Sequence, residues 1–165
     1  MQADTLALLA HLATITNDFA EARQLAEESL AICKKLDHCQ GVAEPLTVLG
    51  EVCLGLGDFE QAEQYFREAI KTSIEAWMPP YALHALAGLA QLLAAVGEKA
   101  RAYKAATFIL HHPASWQWSK DSIASFAGEL EAELPPDVIN LAQTQARAKN
   151  LEQVVEELIT GRLAA

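Results

Sequence analysis

Long apolar runs are missing from this chain. Glu, Lys, His or Gln interrupts every Leu-rich stretch before it reaches the roughly 18 to 20 apolar residues that cross a bilayer, so no membrane span is expected. A basic segment of the kind that opens a secretory signal is also missing from Met1-Gln2-Ala3-Asp4, and a cytoplasmic protein is expected. Cysteine is scarce: Cys33, Cys39 and Cys53 form no CxxC pair and each sits in an apolar helical context, which suits small core hydrophobes rather than metal or redox chemistry. No basic cluster is longer than Lys34-Lys35, and the net charge is -10. Such a surface repels phosphate backbones, which speaks against direct nucleic-acid binding. The acidity is uneven, with 13 acids and 5 bases in residues 1–82 against 9 and 7 in residues 83–165. A neutral or basic partner fits better.

Motifs that carry chemistry are absent as well. There is no GxxxxGK[ST] loop, no GxGxxG after a strand, and no convincing strand. His111-His112 stands at a predicted helix end before Pro113, where it suits the exposed carbonyls better than a metal, since adjacent helical residues point apart. Glu129, Glu131 and Glu133 alternate in a predicted helix, cannot share one face, and read as solvated surface. No catalytic residue, metal ligand or cofactor is assigned, and an enzyme is not expected.

What the chain does have is helix formers. It is 52% hydrophobic, dominated by Ala and Leu, with only 6 Pro and 8 Gly, which predicts an all-α fold. It also repeats itself. A shift of 40 residues superposes Leu6, Leu46 and Leu86, then Leu9, Leu49 and Leu89, then Asn17, Gly57 and Gly97, then Ala22, Ala62 and Ala102. In the clearest copy, apolar or small residues recur three and four apart on both sides of Gly57-Asp58, the pattern of a helix hairpin. Gly50 and Ala62 are small where two helices cross, Leu49 and Phe66 fill the space between them, and Gly57 can take a left-handed C-cap. Helix pairs are predicted at 3–16 with 18–36, 41–56 with 59–77, and 80–96 with 99–111. Beyond them, Ser115 or Ser119 is expected to cap a helix running to Leu134. Another helix starts at Asp137 after Pro135-Pro136, and Asn150 caps a last one ending near Gly161.

The run Leu49-Gly50, Gly57, Phe59, Ala62, Phe66 and Ala69 resembles the signature of the tetratricopeptide repeat family. The resemblance implies a right-handed α-solenoid of three long hairpins of about 40 residues, 1–40, 41–80 and 81–113. A helical cap over 114–165 would pack on them as one domain. The spacing of 40 implies helices longer than the family's by about a turn or two. Long repeats of this kind resemble the C-terminal sensor arrays of bacterial STAND-type signalling ATPases and multidomain transcriptional regulators, whose closing tail the segments around His112, Leu130 and Leu151 resemble too. The resemblance further implies that the first helix of each hairpin lines a concave groove, with Asp4, His11 and Thr14, then Glu44, Thr47 and Glu51, then His84 and Gln91 facing it. His11, Glu51 and Gln91 would share one row; Asp4, Glu44 and His84 another.

Trp116 and Trp118, with Trp77 and Tyr81 around Pro79-Pro80, form an aromatic cluster. Two Trp residues two apart cannot share a helical face, so one is expected in the core and the other partly exposed as an anchor. The functional expectation is a protein-interaction scaffold or sensor module of a larger regulator, binding a neutral or basic peptide or protein, or other domains of the same regulator. Two alternatives stand beside it: a small-molecule sensor controlling a linked ATPase or DNA-binding domain, and self-assembly through the first helix.

Overall fold

The computed structural model describes residues 2–36 and 41–160, and Cys39 and Gly161 lie outside the described residues. Among the described residues there are nine α-helices and no strand: α1 (Gln2–Ile15), α2 (Phe19–Lys35), α3 (Ala43–Gly55), α4 (Phe59–Glu75), α5 (Pro79–Ala95), α6 (Lys99–His111), α7 (Gln117–Glu131), α8 (Pro136–Ala148) and α9 (Leu151–Thr160). None of them is long and apolar enough to cross a membrane.

The turns explain why the helices come in pairs. After α1, Asn17 takes φ 60° and the amides of Asn17 and Asp18 bond back to the carbonyls of Thr14 and Ala13, at 3.0 and 2.9 Å. This Schellman closure satisfies two orphan carbonyls of α1. Asp18 then caps α2, its side chain accepting from the Glu21 amide at 3.2 Å. Gly57 (φ 79°) and Asp58 repeat the device between α3 and α4, with Asp58 accepting from the Gln61 amide at 3.3 Å. Gly97 (φ 89°) and Trp77 (φ 56°) close α5 and α4 in the same way. One residue therefore ends each helix and the next starts the following one.

The hairpins are shorter than the 40 residues expected. α1 with α2 runs Gln2–Lys35 and α3 with α4 runs Ala43–Glu75, while the spacing of 40 separates the turn residues Asn17, Gly57 and Gly97. Helices of 17 residues, α2, α4 and α5, account for part of it; between the first two turns α3 has only 13, and 36–42 stand between α2 and α3.

Two compact units divide the chain, Met1–Gly88 and Leu89–Ala165. In the first, Ala10, Ala13, Ala22 and Ala26 of α1 and α2 form a small-residue bed for Val48, Leu49 and Val52 of α3. Phe66, fully buried, is held between α3 and α5: a Cβ on Gly50 would lie 2.6 Å from its ring, and one on Gly88 closer still. Ala62 and Ala69 are also fully buried, as the repeat signature required. Phe59 is not a core residue as expected but is 37% exposed, because it opens α4 directly after the Asp58 cap, at the end of the hairpin.

In the second unit, α6 packs with α7, α8 and α9. Its buried Tyr103 donates to Glu131 Oε2 at 3.0 Å and accepts from Gln143 Nε2 at 3.3 Å. Trp116, not Ser115 or Ser119, is the N-cap of α7; Ser115 instead donates to the Ile109 carbonyl at 2.7 Å and Ser119 is buried. Asn150 caps α9 as expected, in a reciprocal box with Gln153 at 2.9 and 3.1 Å. Helix α8 begins one residue earlier than predicted, with Pro136 at the first helical position.

Candidate functional site

Within the first unit, α1, α3 and α5 bring two histidines and two glutamates together. Glu44 and Glu51 are seven residues apart on α3, two turns, which puts both carboxylates on one face. Opposite them is His84, with a side chain only 4% exposed. Its Nδ1 lies 3.6 Å from Glu44 Oε2 and its Nε2 3.4 Å from Glu51 Oε1. From the other side His11 Nδ1 reaches Glu51 Oε2 at 3.3 Å, and the two imidazoles meet edge to face with centroids 5.3 Å apart. The Thr14 hydroxyl donates to the His11 carbonyl at 2.6 Å and stands 3.4 Å from Glu51 Oε2.

The electrostatics follow from this crowding. Burial pushes the Glu51 carboxyl up, but hydrogen bonds from His11 and His84, and their charge, outweigh it and hold the group at about 2. Burial pulls the His84 imidazole down, and the Glu44 and Glu51 carboxylates beside it outweigh that, raising it to about 9. At neutral pH the cluster therefore holds an imidazolium between two carboxylates. Glu44 Oε2 is buried with no hydrogen-bond partner among the described residues, and His84 Nδ1 is the basic atom beside it, at 3.6 Å. The Tyr81 phenol is pushed up by burial and by Glu44 and Asp4, a sign of a negative field over this face.

Of the residues assigned to the groove, His11, Thr14, Glu44, Glu51 and His84 converge. Asp4 is exposed on α1. Thr47 is buried, not groove-lining, because its hydroxyl turns back to the Ala43 carbonyl at 2.9 Å. Gln91 is exposed further along α5. His84 joins both expected rows rather than one, a pairing that sequence register alone did not suggest. The seven-residue spacing of Glu44 and Glu51 was the legible signal.

The aromatic anchors lie elsewhere. Trp116 and Trp118 stack with centroids 5.6 Å apart and planes at 21°, which is possible because Trp116 precedes the helix and is extended. Trp118 is 48% exposed, and Trp77 is 85% exposed in its turn. His111 Nδ1 bonds the Thr107 carbonyl at 2.8 Å in the last turn of α6, the helix-end role its position suggested.

Residues 1–75 match the family model described as Tetratricopeptide repeat. This stretch holds the first two hairpins and three of the four clustered side chains. No curated protein and no solved structure matches the chain. A tetratricopeptide repeat domain over residues 1–75 accords with the Schellman turns, the small-residue bed and the Gly50–Phe66 crossing found there. Repeats of this family in general mediate protein–protein interaction.

Proposed function

We propose that the chain is a non-catalytic protein-interaction module whose first unit presents the inner helices of its tetratricopeptide hairpins to a neutral or basic segment of a partner. The observation that carries this reading is the pair of carboxylates Glu44 and Glu51 on one face of α3, with Glu44 and Asp4 adding to burial in pushing the Tyr81 phenol up. Charge complementarity of this kind sets on-rate and partner choice more than raw affinity. The 40-residue spacing of the turns supports the wider context of a sensor array within a bacterial signalling regulator. Fluorescence anisotropy with labelled basic, neutral and acidic peptides tests the reading. Basic peptides should bind, and Asp4→Lys with Thr14→Arg should weaken them about tenfold by reversing the field. Preference for acidic peptides, or indifference to both substitutions, would overturn it.

A second reading, self-association, rests on α1. Leu8, Leu12 and Ile15 form an exposed stripe at 68%, 56% and 65%, with Leu9 beside it at 47%. The equivalent positions of α3, Val48, Leu49 and Val52, are buried on the bed of the preceding hairpin. A second copy offering a similar bed would cover the stripe. Sedimentation analysis should then show an oligomer that Leu12→Glu dissociates, and a monomer at high concentration would remove this reading.

A further inference from the structure

We infer that His11, Glu51 and His84 form a binding site for a first-row divalent transition-metal ion of the zinc class, with Glu44 orienting His84 from behind. The three side chains come from three different helices, and one ligand atom from each lies within 4.8 Å of the others. Two imidazole nitrogens and a carboxylate oxygen are a common zinc set, bound at about 2.0–2.2 Å. Ligands at that distance in a tetrahedron stand about 3.4 Å apart. His11 Nδ1 lies 3.3 Å from Glu51 Oε2 and His84 Nε2 3.4 Å from the other oxygen, Oε1, so each histidine meets that edge with its own carboxylate oxygen, and the set of one atom per residue, within 4.8 Å, contracts slightly on binding.

The arrangement behind the ligands is a second, separate observation. A ligating histidine ordinarily gives its other ring N–H to a carboxylate or carbonyl, which sets the tautomer and the ring plane. His84 is buried, turns Nε2 towards Glu51, and has Nδ1 facing Glu44 Oε2, a buried oxygen with no other donor in reach among the described residues. The ion would take the place of the proton on His84 Nε2, leaving Nδ1–H on Glu44. His11 and Glu51 are 20% and 22% exposed, so the cluster has an open side for entry and for a solvent ligand. Mixed imidazole and carboxylate donors select zinc, nickel or copper over magnesium and calcium, which prefer all-oxygen sets. The ion would tie α1, α3 and α5 together, independently of whether a peptide binds the same face.

The test is calorimetric titration of the chelator-treated chain with ZnCl2 alone, and with MgCl2 and CaCl2 for comparison. One zinc ion per chain is expected, with no comparable heat from magnesium or calcium. His11→Ala, at a side chain 20% exposed and verified as folded by circular dichroism, should abolish the one-to-one binding. Glu44→Gln should weaken it about 10- to 100-fold. Cys33→Ser with Cys53→Ser, and His111→Ala, should leave it unchanged. Absence of stoichiometric zinc binding, survival of binding in His11→Ala, its loss in the cysteine or His111 variants, or equal binding of calcium would each overturn the site.

Discussion

Helices α3 and α9 each carry a glutamate that bridges two basic side chains, and the two bridges are built in opposite settings. Glu51 spans His11 and a His84 that is 4% exposed, between packed helices of the first unit. Glu157 spans Lys104 and Lys149 on the surface of the second and is 40% exposed. Both carboxyls are held below their ordinary range, Glu157 chiefly by hydrogen bonds from Lys104 and Lys149. The shared direction hides a difference in consequence. Water can replace either lysine at Glu157, whereas His84, 4% exposed, is shielded from solvent and its charge relies on Glu44 and Glu51.

The largest effect should come from breaking the buried bridge on one side. Glu51→Ala leaves the His84 charge with a single carboxylate, and denaturant unfolding should show a loss of about 3 kcal/mol. A loss below about 1 kcal/mol would mean that the interior cluster is no stronger than the surface one.

The pH dependence of the metal-free chain should follow closely in size. His84 is raised from 6.5 to about 9, so its contribution is complete below 6.5 and is lost as pH rises through 9. Glu51 is lowered from 4.5 to about 2, so its contribution is complete above 4.5 and is lost as pH falls through 2. The cluster thus favours folding most between pH 4.5 and 6.5, with on the order of 2 kcal/mol lost by pH 10. Melting temperatures across pH should show that fall, and His84→Gln should flatten the alkaline limb.

Packing beside the cluster offers a third way to disturb it. Gly50 precedes Glu51, Gly88 is one turn past His84, and both press on Phe66. Gly50→Leu should wedge α3 from its neighbours and cost about 1 to 3 kcal/mol. An unchanged melting temperature would contradict the crossing. A smaller effect, of opposite sign, is expected at Trp77, whose exposed ring adds little but whose φ of 56° is strained for an L-residue. Trp77→Gly should stabilise by about 1 kcal/mol, read from the denaturation midpoint. Smallest of all, Glu157→Gln should change stability by under about 1 kcal/mol, and less in high salt.

Much of the fold was legible because it depends on short-range chemistry. Asn17, Gly57 and Gly97 announced the turns, and Asn150 the cap of α9, since a left-handed residue or a side-chain acceptor acts on neighbours in sequence. The size of the hairpins was less legible. A constant offset between turns does not say whether helix or connection fills it, and the segment 36–42 fills part of it. The end of α4 and the start of α7 were less legible for a related reason: Trp77 and Trp116 each stand just outside a helix, where helical periodicity gives out.

The sequence by itself determined that the chain is helical, where its helices turn, and that Gly50 and Phe66 meet at a crossing. All of these follow from residue type and spacing within one hairpin. Only the tertiary structure decided that His84 lies between Glu44 and Glu51 while His11 closes the other side. Repeat register aligns equivalent residues on successive helices, but a buried side chain reaches whichever neighbours the packing of α1, α3 and α5 brings within a few ångströms. That proximity, with its loss of solvent, turns four ordinary polar residues into one coupled cluster.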